Sequence, residues 1–208
     1  GASGFVGGAL CERLFFEGRT HFRAYIHSSG SAARLARLPL RLHVLDLLDP
    51  EQNNQALEGV ETVVNCSRGD TRTMLTGLTN LLRSAKRNRV KKLIHLSSTA
   101  IYGEDPPLAS ESESCLPDPQ GNEYGATKLR QDTMVLKLHA AGVPCYILCP
   151  GNISGPLSGY TLGQVRRADA GPMALVDDGQ NPTNLVHVDN LVEAILAAER
   201  ITTQGATD

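Results

Sequence analysis

The segment EYGATK sets Tyr124 and Lys128 four residues apart, a spacing that puts both side chains on one face of a helix. An ammonium group beside a phenol favours the phenolate. Such a pair can pass a proton to or from a substrate oxygen while a hydride moves at the attached carbon. Alone, a tyrosine and a lysine at this spacing also read as an ordinary surface pair, so the assignment depends on their company. In LIHLSSTAIYG, Ser97 and Ser98 close an apolar run. That position is the carboxyl end of a buried strand, where open α/β sheets assemble their sites. A serine hydroxyl there can hold a substrate oxygen beside the tyrosine.

A third element stands at the start of the chain. In GASGFVG, glycines occupy positions 1, 4 and 7, with Ser3 inside the turn. Gly1 suits a tight turn, Gly4 lets backbone N–H groups approach a pyrophosphate, and Gly7 permits close packing of helix on sheet. Gly4, Phe5 and Val6 then open a helix whose unpaired amides and dipole favour phosphate. A dinucleotide site also needs a reader for the adenosine ribose about 20 residues further on. The chain offers His27, Ser28 and Ser29 there and no carboxylate. The absence of an acidic group leans toward NADP(H) over NAD(H), with His27, Ser28 and Arg34 as partners for a 2′-phosphate.

These residues require a scaffold of parallel strands and crossover helices. FRAYIHSS, LHVLDL, ETVVNC, KLIHLSS and CYILC read as strands, with helical stretches near 52–58, 73–87 and 124–141 between them. Val6, Leu10 and Leu14 share a helical face ahead of Gly18. The continuous apolar runs suit strands buried on both faces. The expected fold is α/β, a Rossmann-type doubly wound parallel sheet over residues 1–150. Residues 151–208 are richer in Gly and Pro and then carry the helical run NLVEAILAAER. They read as part of a small substrate-binding region that returns to the sheet. In the usual strand order, the strand before the glycine turn is central. The sequence therefore reads as a fragment whose first strand lies upstream.

Composition narrows the partners. The chain has 208 residues, 41% hydrophobic and 20% charged, with a net charge of −2 and no basic stripe. Nucleic acid is not an expected partner, and no apolar run approaches the roughly 18 residues of a membrane span. The five cysteines form no C-x-x-C pair and no cluster with metal spacing, so no metal is expected and reduced thiols in the cytoplasm are. Cys145 and Cys149, four apart in a strand, should both face one buried side.

Six motifs in one order, GASGFVG, DLLD, LSSTAIYG, YGATK, CPGNISGP and LVHVDN, resemble those of the extended short-chain dehydrogenase/reductases, also called the NAD-dependent epimerase/dehydratase family. The likeness runs through nearly the whole chain. It implies that Tyr124 transfers the proton, that Lys128 supports it and binds the nicotinamide ribose, and that Ser98 rather than Ser97 is the catalytic hydroxyl. It also implies that Asp46 and Leu47 flank the adenine and that Cys66 and Ser67 line the cofactor. Pro150 to Ile153 would lie beside the nicotinamide, with Asn152 also facing substrate. His187 and Asp189 would be structural. Three positions depart from the family's pattern: Cys149 replaces an arginine, Arg68 a small residue and Met74 an asparagine. Arg68 would either pair with phosphate or mark an altered cofactor pocket.

Three functions follow. One is a reductase at a secondary alcohol or ketone. Another is a nucleotide-sugar epimerase or dehydratase with tightly held NAD. The last, from a different class, is a non-catalytic dinucleotide-binding regulatory module. The family resemblance further implies a homodimer through the helix that carries Tyr124 and its neighbour.

Overall fold

The computed structural model describes residues 1–103, 116–172, 176–180 and 183–201; Cys115 lies outside them. The glycine turn leads into α1 (Phe5–Phe16), followed by β1 (Ala24–Ile26), β2 (Leu42–Val44), α2 (Pro50–Ala56) and β3 (Thr62–Asn65). A π-helical turn, Thr73–Gly77, runs into α3 (Leu78–Arg87), and β4 (Lys92–Leu96) and α4 (Glu123–Ala140) come next. The remaining elements are β5 (Cys145–Leu148), β6 (Asn152–Ser154), α5 (Gly159–Asp169), β7 (Leu185–His187) and α6 (Val188–Arg200).

Local chemistry explains several of these boundaries. The Asp49 carboxylate accepts from the amides of Glu51 and Gln52 with Pro50 at the first helical position, which starts α2. Asn122 caps α4 by accepting from Gly125 N. The basic pair Lys86 and Arg87 sits in the last turn of α3, against the negative end of its dipole. The expected helices near 52–58, 73–87 and 124–141 thus form within a few residues of their predicted limits. The one over 73–87 opens on a π-helical turn, and the first expected strand shortens to three residues.

Among the described residues every strand pairing is parallel. β1 pairs with β2, β4 is flanked by β3 and β5, and β6 pairs with β7. Alternate residues of β4 point to opposite layers. Ile94 and Leu96 pack with Ala9, Leu10 and Leu14 of α1 and with Leu191, Val192 and Ile195 of α6. Leu93 packs with Leu78, Leu81 and Ala85 of α3 and with Val135 and Leu138 of α4. Helices therefore cover both faces of parallel strands, the arrangement of a Rossmann-type α/β fold.

β1 and β3 are not paired with each other. A cleft of about 760 Å³ lies between them, its walls including Gly1, Tyr25, Val63, Val64, Leu10 and Ile195. The expectation that both thiols of CYILC are buried does not hold. Cys145 and Cys149 are half-buried rather than buried, and Cys149 lies beyond the end of the strand. β5 is the outer strand of its three-stranded sheet, so its residues lack a neighbour on one side. Among the described residues no helix is long and apolar enough to cross a membrane, and no cluster of acidic, histidine or cysteine side chains could hold a metal.

Candidate active site

The glycine turn is pressed against the end of β3. A methyl on Gly1 would stand 2.4 Å from Cys66 O, and one on Gly7 would stand 2.2 Å from Gly1 O. Both contacts are with backbone, so neither position has room for a side chain. Gly4 caps α1 with an extended backbone and no side-chain hydrogen bond, and the first turn of α1 carries no acidic residue. The helix thus presents its amides and positive dipole end to the loop ends of the strands, a cradle suited to phosphate. Ser3 Oγ donates to Ser31 Oγ at 3.2 Å, and Ser31 Oγ donates to Ser28 O at 2.6 Å. These bonds tie the turn to the loop after β1, where His27 and Ser28 are exposed.

Arg34 has a different occupation. It donates to Phe5 O at 2.8 Å and to both Glu12 oxygens at 3.1 and 3.2 Å, bracing that loop against α1. The arginines Arg34 and Arg37 in turn hold the Glu12 carboxyl below its ordinary range. Asp46 Oδ1 accepts from Leu48 N at 2.9 Å, shaping the loop after β2. Leu47 abuts Gly77, where an added methyl would meet Leu47 Cβ at 2.9 Å.

At the carboxyl end of β4 the two serines part company. Ser97 is buried and donates to Asp132 Oδ2 at 2.5 Å. Ser98 caps the short 3-10 turn Thr99–Tyr102 by accepting from Ala100 N at 3.2 Å. That turn meets the first turn of α4 backbone to backbone, because a methyl on Gly125 would fall 2.2 Å from Ala100 O. Gly125 therefore lets Tyr124 sit beside the turn that Ser98 opens. One helical turn deeper, Lys128 is buried and donates to Leu96 O at 2.9 Å. Thr99 N donates to Pro150 O at 3.1 Å, which draws the loop after β5 to the same place. Asn152 and Ile153 leave that loop as β6, with Asn152 N donating to Asn184 O at 2.8 Å.

Burial dominates the electrostatics. It lowers Lys128 from its ordinary value, opposed by the negative charge of Asp132 and reinforced by nearby Arg68. Burial pushes the Cys66 thiol up to about 11, so this residue lines the site as a neutral group at pH 7. The Arg68 guanidinium lies over the Tyr124 ring, 5.3 Å from its centroid. His187 accepts from Asp189 N at the start of α6 and acts as a helix cap.

The structure therefore gathers Ser98, Tyr124, Lys128, Cys66, Ser67 and Pro150 at the ends of β3, β4 and β5. Gly1, Ser3, Gly4, Phe5, Val6 and Gly7 form the adjoining turn, and His27 and Ser28 lie at the end of β1. Reading the sequence missed three polar residues beneath this site: Asn65, His95 and Asp132, all buried. Two signals pointed to them. Asp132 follows Lys128 by four residues, and His95 alternates with Ser97 along the strand.

The arrangement joins a phosphate cradle, a phenol, an ammonium and a hydroxyl. A family model described as the NAD dependent epimerase/dehydratase family matches residues 1–206. Sterol demethylase protein B of Methylococcus capsulatus is 30% identical over 167 residues, which cover 75% of this chain and 51% of that protein. A 4-hydroxy-2-methyl-3-oxo-4-farnesyl-3,4-dihydroquinoline-1-oxide ketoreductase of Stigmatella aurantiaca is 26% identical, covering 96% of this chain and 63% of that protein. The chain thus spans about half to two thirds of these relatives. Among solved structures, the Bordetella bronchiseptica enzyme WbmH in complex with NAD+ superposes with a TM-score of 0.79 at 21% identity, covering 97% of this chain and 71% of that one.

Proposed function

The chain belongs to the NAD-dependent epimerase/dehydratase family, and from that premise we propose that it carries the cofactor-binding and catalytic part of an NAD(P)-dependent oxidoreductase acting at a secondary alcohol or ketone. The observation that carries the reading is the close backbone approach of Gly125, the neighbour of Tyr124, to the turn capped by Ser98, with Lys128 one helical turn below. The glycine cradle, in which added methyls would strike backbone, fits a dinucleotide pyrophosphate. When bound, the nicotinamide supplies or takes the hydride. Tyr124 donates a proton to the carbonyl oxygen in reduction and accepts it in oxidation. Ser98 donates a hydrogen bond to that oxygen, and Lys128 orients the nicotinamide ribose. Asn152 faces the substrate, while Cys66, Ser67, Pro150 and Ile153 line the cofactor, with Asp46 and Leu47 at its adenine end.

Turnover of NADPH or NADH by the intact protein across a panel of ketones tests this. Tyr124→Phe should lower kcat at least about 100-fold with the cofactor still bound, and full activity in that variant overturns the assignment. NADP(H) is placed ahead of NAD(H) because no carboxylate follows β1, where His27 and Ser28 are exposed. The bracing of Arg34 by Glu12 leaves those two residues as the 2′-phosphate contacts. A ratio of dissociation constants favouring NAD(H) reverses this order.

In a second version, a nucleotide-sugar epimerase or dehydratase with retained NAD, family membership supports the activity, and the likeness to WbmH, an enzyme solved with NAD+, bears on the NAD alone. Cofactor that co-purifies, with no net redox change on a nucleotide sugar, would select it. The thiols Cys11, Cys66 and Cys145 are unbridged, which supports a cytoplasmic setting. A homodimer through α3 and α4 belongs to the same reading and is supported by exposed Leu136 on α4; sedimentation of the intact protein tests it.

The domain division at residue 150 extends this reading. The cleft between β1 and β3 suits one more extended apolar segment, since Ala2 N already donates to Tyr25 O at its rim. Five apolar β-branched residues fused ahead of Gly1 should raise the unfolding midpoint, and five alternating Lys and Glu residues should not. Equal midpoints for the two fusions would count against this use of the cleft.

A further inference from the structure

Beneath the proposed catalytic groups lies a line of buried polar side chains whose donor and acceptor roles can be assigned. Ser67 donates to Asn65 Oδ1 twice, from its backbone N–H at 3.1 Å and from its hydroxyl at 2.6 Å. A backbone amide is a donor only, so Oδ1 must be the Asn65 oxygen, and the Asn65 amide nitrogen faces His95 Nδ1 at 3.1 Å. His95 Nδ1 is then the acceptor, and the proton of the neutral ring sits on Nε2. That Nε2 is buried without a hydrogen-bond partner, and so is Asp132 Oδ1, which faces it at 3.8 Å. The other Asp132 oxygen accepts from Ser97. Asp132 stands one helical turn beyond Lys128 on α4.

The charges around Lys128 make Asp132 stand out. Asp132 on its own helix, His95 on β4, Arg68 and Cys66 in the segment after β3 and Cys149 in the loop after β5 interact electrostatically with Lys128. Arg68 repels it, and the Cys66 thiol is neutral at pH 7. Asp132 is the only carboxylate among these groups.

Taking Lys128 as catalytic in the sense proposed above, we propose that Asn65, His95 and Asp132 form a buried positioning chain from the cofactor-lining segment at Ser67 to α4. In this chain Asp132 is the counter-charge that keeps Lys128 protonated. The hydroxyl of Ser97 points the carboxylate, the Nε2–H of His95 faces its second oxygen at 3.8 Å, and Asn65 sets the tautomer of His95. Burial alone drives Lys128 down and Asp132 up, toward their neutral forms, and their mutual attraction opposes both shifts. None of the three needs to touch the substrate.

Two measurements on the intact protein test this. In ¹⁵N-histidine spectra, His95 should be the neutral Nε2–H tautomer between about pH 5 and 8, and its Nε2 signal should shift in Asp132→Asn. NADPH and NADH affinity, read by cofactor fluorescence against pH, should lose its alkaline limb about one unit earlier in Asp132→Asn, a tenfold change in proton affinity. Asp132→Glu should restore most of that unit. Ser97→Ala, which leaves the carboxylate in place, should shift it less. An Nδ1–H tautomer in the unmodified protein overturns the chain. An unmoved alkaline midpoint in Asp132→Asn, with only the melting temperature lowered, overturns the counter-charge role. If the unmodified protein binds neither cofactor, the catalytic reading of the site fails, while the tautomer spectrum still decides the positioning chain.

Discussion

Gly125→Ala sets two physical effects against each other, and the structure says which wins. Within a helix, replacing glycine by alanine ordinarily stabilises by about 0.5–1 kcal/mol, because the unfolded chain has less freedom to lose. At Gly125 the new methyl would lie 2.2 Å from Ala100 O, 3.0 Å from Ala100 C and 3.1 Å from Pro119 Cβ. Ordinary contact begins at 3.4 Å, so α4 and the Thr99–Tyr102 turn must part by about 1.2 Å. The opposing atom is a carbonyl oxygen of the main chain and has no rotamer to escape into. Overpacking of this kind costs about 1–3 kcal/mol, which exceeds the gain in helix propensity. The net expectation is a loss of up to about 2.5 kcal/mol in urea unfolding. The same parting moves Tyr124 away from Ser98, and a misplacement of about 1 Å at a reacting group can cost on the order of 100-fold in rate. Gly163→Ala in α5 is the control, because a methyl there meets nothing within 4 Å. It should stabilise or be neutral. If Gly125→Ala raises the urea midpoint as Gly163→Ala does and leaves kcat unchanged, the close approach that seats Tyr124 does not exist.

Other perturbations have definite signs. Leu93→Ala removes a side chain with no exposed surface between α3 and α4 and should cost about 2–5 kcal/mol of unfolding free energy without changing cofactor preference. His95 is pushed down to about 3 by burial, so below the unfolded value of about 6.5 the unfolded chain binds a proton that the folded chain refuses. Stability from this residue is therefore complete above about pH 6.5, and roughly 2–3 kcal/mol of it should be gone by about pH 4.5. Asp132 is raised and acts in the opposite direction, gaining stability as pH falls. The comparison that isolates His95 is thus unmodified protein against His95→Gln, whose acid loss should be the smaller. Equal slopes in the two would refute a buried neutral imidazole.

The sequence alone determined what depends on neighbours a few residues apart. Helical periodicity puts Tyr124 and Lys128 on one side of α4. The glycine spacing in GASGFVG makes a turn that opens a helix, and the apolar runs declare parallel strands covered on both faces. These features rest on repeat geometry that the chain carries locally. What only the tertiary structure decided involves partners dozens of residues away. Ser97 and Ser98 are adjacent and alike in sequence, yet docking of α4 on β4 sends one into the core against Asp132 and leaves the other capping the turn. Arg34 reads as a partner for a 2′-phosphate until α1 brings Glu12 to it, and the contact of Arg68 with the Tyr124 ring, 56 residues away, is invisible in the sequence. His95 and Asp132 gain meaning only when β3, β4 and α4 close around them. A side chain's direction follows from its own backbone, but its partner is set by which elements pack together, and burial then fixes what that partnership is worth.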